Sequence, residues 1–138
     1  MAVTGTEGLV LLVARVLVGI VVAFMGLNHF MQSDAMAGYA EAKGLPAPTV
    51  MVYASGLVLV LGGLGIALGV FPAVAAVAIA GFLVVAAVTV HDFWAVPDEQ
   101  AQDEMTHFLK NLAMAGAVLA FAAVGTQEWA YSVGLGLL

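Results

Sequence analysis

Three histidines are the residues of this chain best suited to proton transfer, and each lies at the end of a long apolar segment. His29 lies near the end of the first segment, His91 follows the third, and His107 precedes the fourth. Histidine has an ordinary pKa close to neutral pH, so it can take up a proton, release one, or bind a metal ion. The three residues therefore indicate acid–base or ligand-binding chemistry at the ends of the apolar segments.

Other polar side chains recur close to His91 and His107. In the helix expected at the fourth segment, His107, Lys110 and Asn111 are three or four residues apart and share one face. This spacing indicates a polar pocket at the membrane surface that binds an anionic or quinone-like head group. The alternative is a belt of residues that only marks the water boundary. The candidate patch comprises His29, His91, Asp92, Trp94, His107, Lys110 and Asn111.

Lys110 is expected in the first turns of its helix, where the helix dipole disfavours a cation. We therefore expect it to pair with an acidic side chain. The candidates are Asp92, Asp103 and Glu104.

Arg15 is a charged residue inside the first apolar segment. A cation in this position costs several kcal/mol (about 2.5 or more) unless it reaches the interface or finds a partner. Arg15 and His29 are fourteen residues apart, which places them on nearly the same helix face. Arg15 is thus a functional candidate; the alternative is an ion pair with Glu7 or Glu128 that joins the ends of the first and fourth segments.

Several classes of chemistry are disfavoured. The chain has no cysteine, so it can supply no thiol chemistry and no thiolate metal ligand. Its formal net charge of −6 disfavours nucleic acid as a partner, because such binding needs a basic surface. Haem held by His29 and either His91 or His107 is conceivable, but these residues lie at helix ends. We expect no metal site and no cofactor within the chain, apart from a bound quinone.

Four apolar segments must position these side chains. They cover about residues 8–30, 50–70, 73–90 and 108–125, and each approaches or exceeds the length needed to cross a bilayer. Hydrophobic residues make up 64% of the chain and charged residues only 9%, so lipid must cover much of its surface. Backbone amides in lipid must be paired internally, which predicts helices. The fold class is therefore all-α, a transmembrane four-helix bundle in one domain over residues 1–138.

The links between the segments predict the topology. A short amphipathic helix is expected at about residues 35–43, capped by Ser33 and Asp34 and ended by Gly44. Pro72 suits the first turn of the third span, so the tight link before it makes spans two and three antiparallel neighbours. An up-down-up-down order follows, and it places the whole candidate patch at one end of the bundle. Gly65 and Gly69 in span two indicate close helix packing, either within the bundle or in a homo-oligomer.

The sequence resembles the DoxX family of small membrane proteins over nearly its whole length. The resemblance rests on Arg15 followed by Gly19 and Phe24, on the turn-rich segment that ends in KGLPAP, and on the glycine-rich second span. Its most specific parts are His91-Asp92-Phe93-Trp94 and Phe108-Leu109-Lys110-Asn111-Leu112. The resemblance implies a four-helix membrane bundle. It also implies kinship with the membrane subunit of a thiosulfate:quinone oxidoreductase and with complexes that handle thiols and oxidative stress.

Three functions remain open at this point. The first is a quinone-interacting membrane subunit of an oxidoreductase, with electrons supplied by soluble or membrane partner subunits. The second is a non-catalytic anchor or assembly factor for redox enzymes, and the third is a carrier of a small molecule or lipid. Lys43 and Lys110 favour a cytoplasmic location for the end that bears the histidines.

Overall fold

The computed structural model describes residues 2–136, and it consists almost entirely of helices. The helices are α1 (Gly5–Met31), α2 (Ser33–Ala42), α3 (Pro48–Leu68), α4 (Pro72–Thr89) and α5 (Asp98–Val124). Two short strands, β1 (Ala2–Val3) and β2 (Glu128–Trp129), pair in parallel. Four of the helices, α1, α3, α4 and α5, are long and apolar enough to cross a membrane. The predicted all-α, up-down-up-down transmembrane bundle is confirmed.

Helix α5 begins ten residues before the fourth apolar segment. Its N-terminus follows Pro97, and Asp98 and Glu99 lie in its first turn. Acidic side chains at this position are favoured by the helix dipole. The acidic segment 98–107 is thus a helical extension of the fourth span rather than a loop.

The short helix α2 ends close to the predicted position, but its start differs from the prediction. Its N-cap is Gln32, and no side chain caps its first turn. The predicted capping by Ser33 and Asp34 is therefore wrong, because both residues are already helical. Gly44 adopts a φ of 74° just beyond the helix, and its amide bonds to the Glu41 carbonyl.

Helices α1 and α3 pack with their backbones in close approach. A Cβ atom on Gly63 would lie 2.5 Å from the Gly19 carbonyl oxygen, and one on Gly26 would lie 2.7 Å from that of Gly56. Such contacts are available only to glycine, and close backbone approach is a main source of helix association in lipid. Gly65 also serves packing inside the bundle, since its added Cβ would meet the Val70 carbonyl oxygen at 2.9 Å.

The core lies where α3, α4 and α5 meet. Leu59, Ile66, Ile79, Leu83 and Val118 are at most 1% exposed. Large apolar side chains also cover the outside of every spanning helix, as at the exposed Leu17, Phe24 and Leu61. This surface is the inverse of a soluble protein's surface and matches the hydrocarbon region of a bilayer.

Residues 126–136, here called the strap, fold back across the end of the bundle opposite the histidines. The Ala130 amide donates to the Val3 carbonyl, and the Val133 amide donates to Leu68. The Phe71 amide donates to the Leu135 carbonyl at the α3–α4 turn. Pro72 lies in the first turn of α4 as predicted. The strap therefore ties the start of α1 to the α3–α4 turn.

Candidate functional site

The structure places the candidate patch where α1 and α4 end and where α3 and α5 begin. His91 lies at the centre of the part of the patch in which the most side chains contact one another. The chain turns at the end of α4, where the Val90 and His91 amides both donate to the Ala86 carbonyl. This turn brings the His91 side chain to the projecting first half of α5.

His91, Glu104 and Tyr39 form a continuous polar chain across three parts of the molecule. His91 Nδ1 lies 2.8 Å from Glu104 Oε2, and the other Glu104 oxygen accepts a hydrogen bond from the Tyr39 hydroxyl on α2. The His107 ring stacks on the His91 ring with a centroid distance of 5.0 Å and an interplanar angle of 20°. Glu104 and His107 are three residues apart, so one face of α5 presents both to His91. This arrangement can hold a proton and pass it between adjacent groups.

A second contact joins α2 to the α4–α5 link. Lys43 forms an ion pair with Asp92, and both side chains are partly buried. The Lys43 ammonium also lies 5.6 Å from the centroid of the Tyr39 ring. The end of α2 is thus held against the same segment that carries His91.

The predicted partner for Lys110 is wrong. Asp92 pairs with Lys43 and Glu104 with His91, whereas Lys110 is exposed and has no ion pair among residues 2–136. The reason is the early start of α5. Lys110 lies about three turns into that helix, where the dipole no longer disfavours a cation.

The electrostatic setting keeps Asp92 charged and Tyr39 neutral. The hydrogen bond from Lys43 is the main cause that lowers the pKa of Asp92 below its ordinary value of 3.8. Burial raises the pKa of Tyr39 well above its ordinary value of 10.0, and the hydrogen bond and charge of Glu104 raise it further. The Tyr39 hydroxyl therefore remains a hydrogen-bond donor throughout the physiological range.

His29 does not join this polar chain. Its Nδ1 lies 2.9 Å from the Ser55 hydroxyl oxygen and 3.3 Å from the Val52 carbonyl oxygen, both on α3. Its ring meets Phe82 edge-on. Within residues 2–136, no three histidine, aspartate or glutamate side chains are grouped so that they could hold a metal ion.

Trp94 and Asn111 complete the patch in different surroundings. Trp94, Phe93 and Phe108 form a cluster of edge-on rings with centroid distances of 5.1 to 5.8 Å. Trp94 is 58% exposed, as expected for a ring at the level of lipid head groups. Asn111 is 8% exposed. A buried amide of this kind can accept or donate a hydrogen bond to a ligand.

Arg15 lies at the other end of the bundle, and the predicted ion pair with Glu7 or Glu128 is not formed between the described residues. The guanidinium instead donates from Nη2 to the carbonyl oxygens of Ala130 (3.1 Å) and Tyr131. It also lies over the Trp129 ring, 5.6 Å from the centroid. The carbonyl groups of the strap therefore take the place of the acidic side chains that were expected to pair with Arg15.

Sequence reasoning missed Tyr39 and Lys43 as members of the site, and it considered Glu104 only as a partner of Lys110. Both missed residues lie on the helix predicted as amphipathic, so its polar face was the available signal. Trp129 is 5% exposed, packs on Phe121, and donates from Nε1 to the Val124 carbonyl.

Comparison with known proteins agrees with this architecture. Inner membrane protein YphA of Escherichia coli (strain K12) is 29% identical to the chain over 115 residues, which cover 83% of the chain and 82% of that relative. No solved structure matches the chain. Together with the four apolar helices, the relative shows a multi-pass integral membrane protein. The model of the DoxX family matches residues 10–92, which include Arg15, His29, His91 and Asp92. Since this match extends over more than half of the sequence, the chain belongs to the DoxX family.

Proposed function

We propose that the chain is a quinone-interacting membrane subunit of an oxidoreductase complex. The observation that carries the proposal is the chain from Tyr39 through Glu104 to His91, with His107 stacked against it. This group lies at one end of the bundle, beside the interfacial aromatic cluster of Phe93, Trp94 and Phe108. A lipid-soluble quinone has its polar ring at this level of the membrane.

The residues present are suited to such a ring. A quinone supplies two carbonyl oxygens that accept hydrogen bonds, and its reduction to a quinol consumes two electrons and two protons. Asn111 is buried and lies one helical turn from His107, so both side chains can serve as donors. The electrons come from a partner subunit of the oxidoreductase.

The role of the protein side chains is to supply protons and to orient the ring. The contact with Glu104 orients the His91 imidazole. The His91 side chain is itself partly exposed, so protons can be replaced from water at the membrane surface. Tyr39 holds the second Glu104 oxygen and fixes the position of that carboxylate.

The test is binding of a short-chain quinone to the purified protein in nanodiscs. We expect His107→Ala and Asn111→Ala to weaken binding about two- to tenfold, because each removes a hydrogen bond to a quinone carbonyl worth about 0.5–1.5 kcal/mol. Glu99→Gln is the matched control, since Glu99 is an exposed acid on the same helix outside the polar chain. Equal binding by all four proteins, or no binding by the wild type, would refute the proposal.

A second candidate function is anchoring of a soluble redox enzyme. The observation that favours it is the helical extension 98–107, on which Asp98, Glu99 and Asp103 are exposed. Such an acidic surface attracts a basic surface on a partner. Crosslinking in native membranes tests it: a partner captured by the wild type should be lost when all three acids are changed to amides. Capture that persists in this triple variant would contradict a docking role for the extension.

A further inference from the structure

We infer that Arg15 and the strap form a binding site for the phosphate group of a membrane lipid, whose acyl chain lies in the groove between α3 and α4. This site lies at the end of the bundle opposite the histidine cluster. It goes beyond the proposed function and involves none of the same residues.

The first observation is that the Arg15 guanidinium is buried but only partly satisfied. The side chain is 1% exposed. It makes two hydrogen bonds, and both are donated by Nη2. Nε and Nη1 have no hydrogen-bond acceptor in the described part of the chain. A guanidinium has five N–H groups, so three of them lack a partner. No acidic side chain of residues 2–136 pairs with this charge.

An unpaired buried cation calls for an anion. The planar guanidinium matches the geometry of a phosphate and binds it through two parallel hydrogen bonds. The Trp129 ring and two strap carbonyls already hold the guanidinium in a fixed orientation. A phosphate oxygen at Nε or Nη1 would supply both the missing acceptor and the missing negative charge.

The second observation is that the strap closes this position and must move to admit a ligand. A Cβ atom added to Gly69 would lie 3.0 Å from Arg15 Nη1 and 2.6 Å from the Ser132 Cβ. Gly69 therefore lies directly against the guanidinium, and Ser132 lies against Gly69. Tyr131 adopts a φ of 57°, a left-handed conformation that is costly for a bulky residue. The bond between its carbonyl and Arg15 Nη2 holds this strained segment in place.

The third observation is an apolar groove that reaches the same turn. Its volume is about 570 Å³, and its lining includes Val58, Leu61, Gly65, Leu68, Val70 and Phe71. Val58 and Leu68 are ten residues apart on α3, which corresponds to about 15 Å along the helix. This length is half of the hydrocarbon thickness of a bilayer, about 30 Å. The groove is therefore matched to an acyl chain of one leaflet.

The groove and Arg15 meet at the turn that follows α3. Gly69 contacts the guanidinium, and its neighbour Val70 lines the groove and bridges to Leu135 of the strap. A lipid with its chain in the groove thus carries its phosphate to the level of Arg15. The exposed apolar side chains around the turn, Leu68, Phe71, Val133 and Leu135, favour a lipid over a free phosphate ion as the source of the anion.

The experiment uses the fluorescence of Trp129 in full-length Trp94→Phe protein, since the chain has only two tryptophans. The protein is held in an uncharged detergent that contains no phosphate. Phosphatidylglycerol and a diacylglycerol with the same acyl chains are titrated separately, and inorganic phosphate forms a third arm. We expect a saturable change in Trp129 emission with phosphatidylglycerol, at least tenfold weaker apparent affinity for diacylglycerol, and no response to inorganic phosphate.

Equal responses to the two lipids would overturn the phosphate site, and a response to inorganic phosphate alone would overturn the lipid as its source. Arg15→Gln should abolish the preference for phosphatidylglycerol, whereas Arg15→Lys should retain part of it. If Arg15→Gln does not fold, the comparison of the two lipids with unaltered Arg15 still decides the matter.

Discussion

The His91 and His107 rings stack at a centroid distance of 5.0 Å, while His91 Nδ1 lies 2.8 Å from a Glu104 oxygen. The Glu104 carboxylate can only accept a hydrogen bond at neutral pH, so His91 Nδ1 must donate the proton. In neutral His91 the Nε2 atom is then the free acceptor. The two histidines thus differ in their surroundings: His91 is oriented by Glu104, and His107 faces water.

Glu104→Gln should change the tautomer of His91. The amide cannot accept from both Tyr39 and His91 in the way the two carboxylate oxygens do, so the preference for a proton on Nδ1 weakens. Nitrogen chemical shifts of labelled histidine measure this preference directly. Glu99→Gln should leave the spectrum unchanged, and an unaltered His91 tautomer in Glu104→Gln would contradict the assignment.

The Lys43–Asp92 pair predicts a dependence of stability on acid pH. The pKa of Asp92 is lowered in the folded state, so the stabilisation is present above the ordinary value of 3.8 and is lost as pH falls through the lower folded-state pKa. The contribution should be about 1 kcal/mol or less at neutral pH. Thermal unfolding of wild type and Asp92→Asn should differ above about pH 5 and converge at lower pH. A constant difference throughout this range would argue against the pair.

Tyr39 should ionise only above the ordinary tyrosine pKa of 10.0. Its pKa is raised above 10.0, so its hydrogen bond to Glu104 stabilises the fold below about pH 10 and this contribution declines as pH rises further. The near-ultraviolet absorbance of tyrosinate measures the titration. Tyr39→Phe should remove a titration step that lies above pH 10 and should cost about 1 kcal/mol of stability at neutral pH. Loss of a step at or below pH 10 instead would place Tyr39 outside the polar chain.

Glycine replacements should separate packing positions from open ones. Gly63→Ala places a Cβ 2.5 Å from the Gly19 carbonyl oxygen and should destabilise the α1–α3 pair by about 1–3 kcal/mol. Gly116→Ala is the matched control, because an added Cβ there has no neighbour within 4 Å. This replacement should be neutral or slightly stabilising, because alanine has a higher helix propensity than glycine. The melting temperatures of the two variants in gentle detergent measure these effects. Equal melting temperatures would contradict the packing described for α1 and α3.

Hydropathy alone was sufficient to predict the fold, because four charge-poor segments of spanning length admit one simple membrane topology. The same topology placed the histidines at one end without any contact being known. The particular contacts were not accessible. Tyr39 meets Glu104 across 65 residues of sequence, and no local pattern specifies that pairing. Arg15 was expected to bind a carboxylate, but its partners are backbone carbonyls of the strap, which side-chain types do not reveal.

The quinone site is tested most directly by photolabelling of the wild-type protein in nanodiscs with an azido-substituted short-chain quinone, followed by mapping of the labelled peptides. We expect labels between His91 and Asn111, around the stacked histidines and the Phe93–Trp94–Phe108 cluster. Excess unlabelled quinone should suppress these labels, and His91→Ala should reduce them. Labels confined to the strap or spread evenly over the lipid-facing helices would contradict a quinone site at the histidine end.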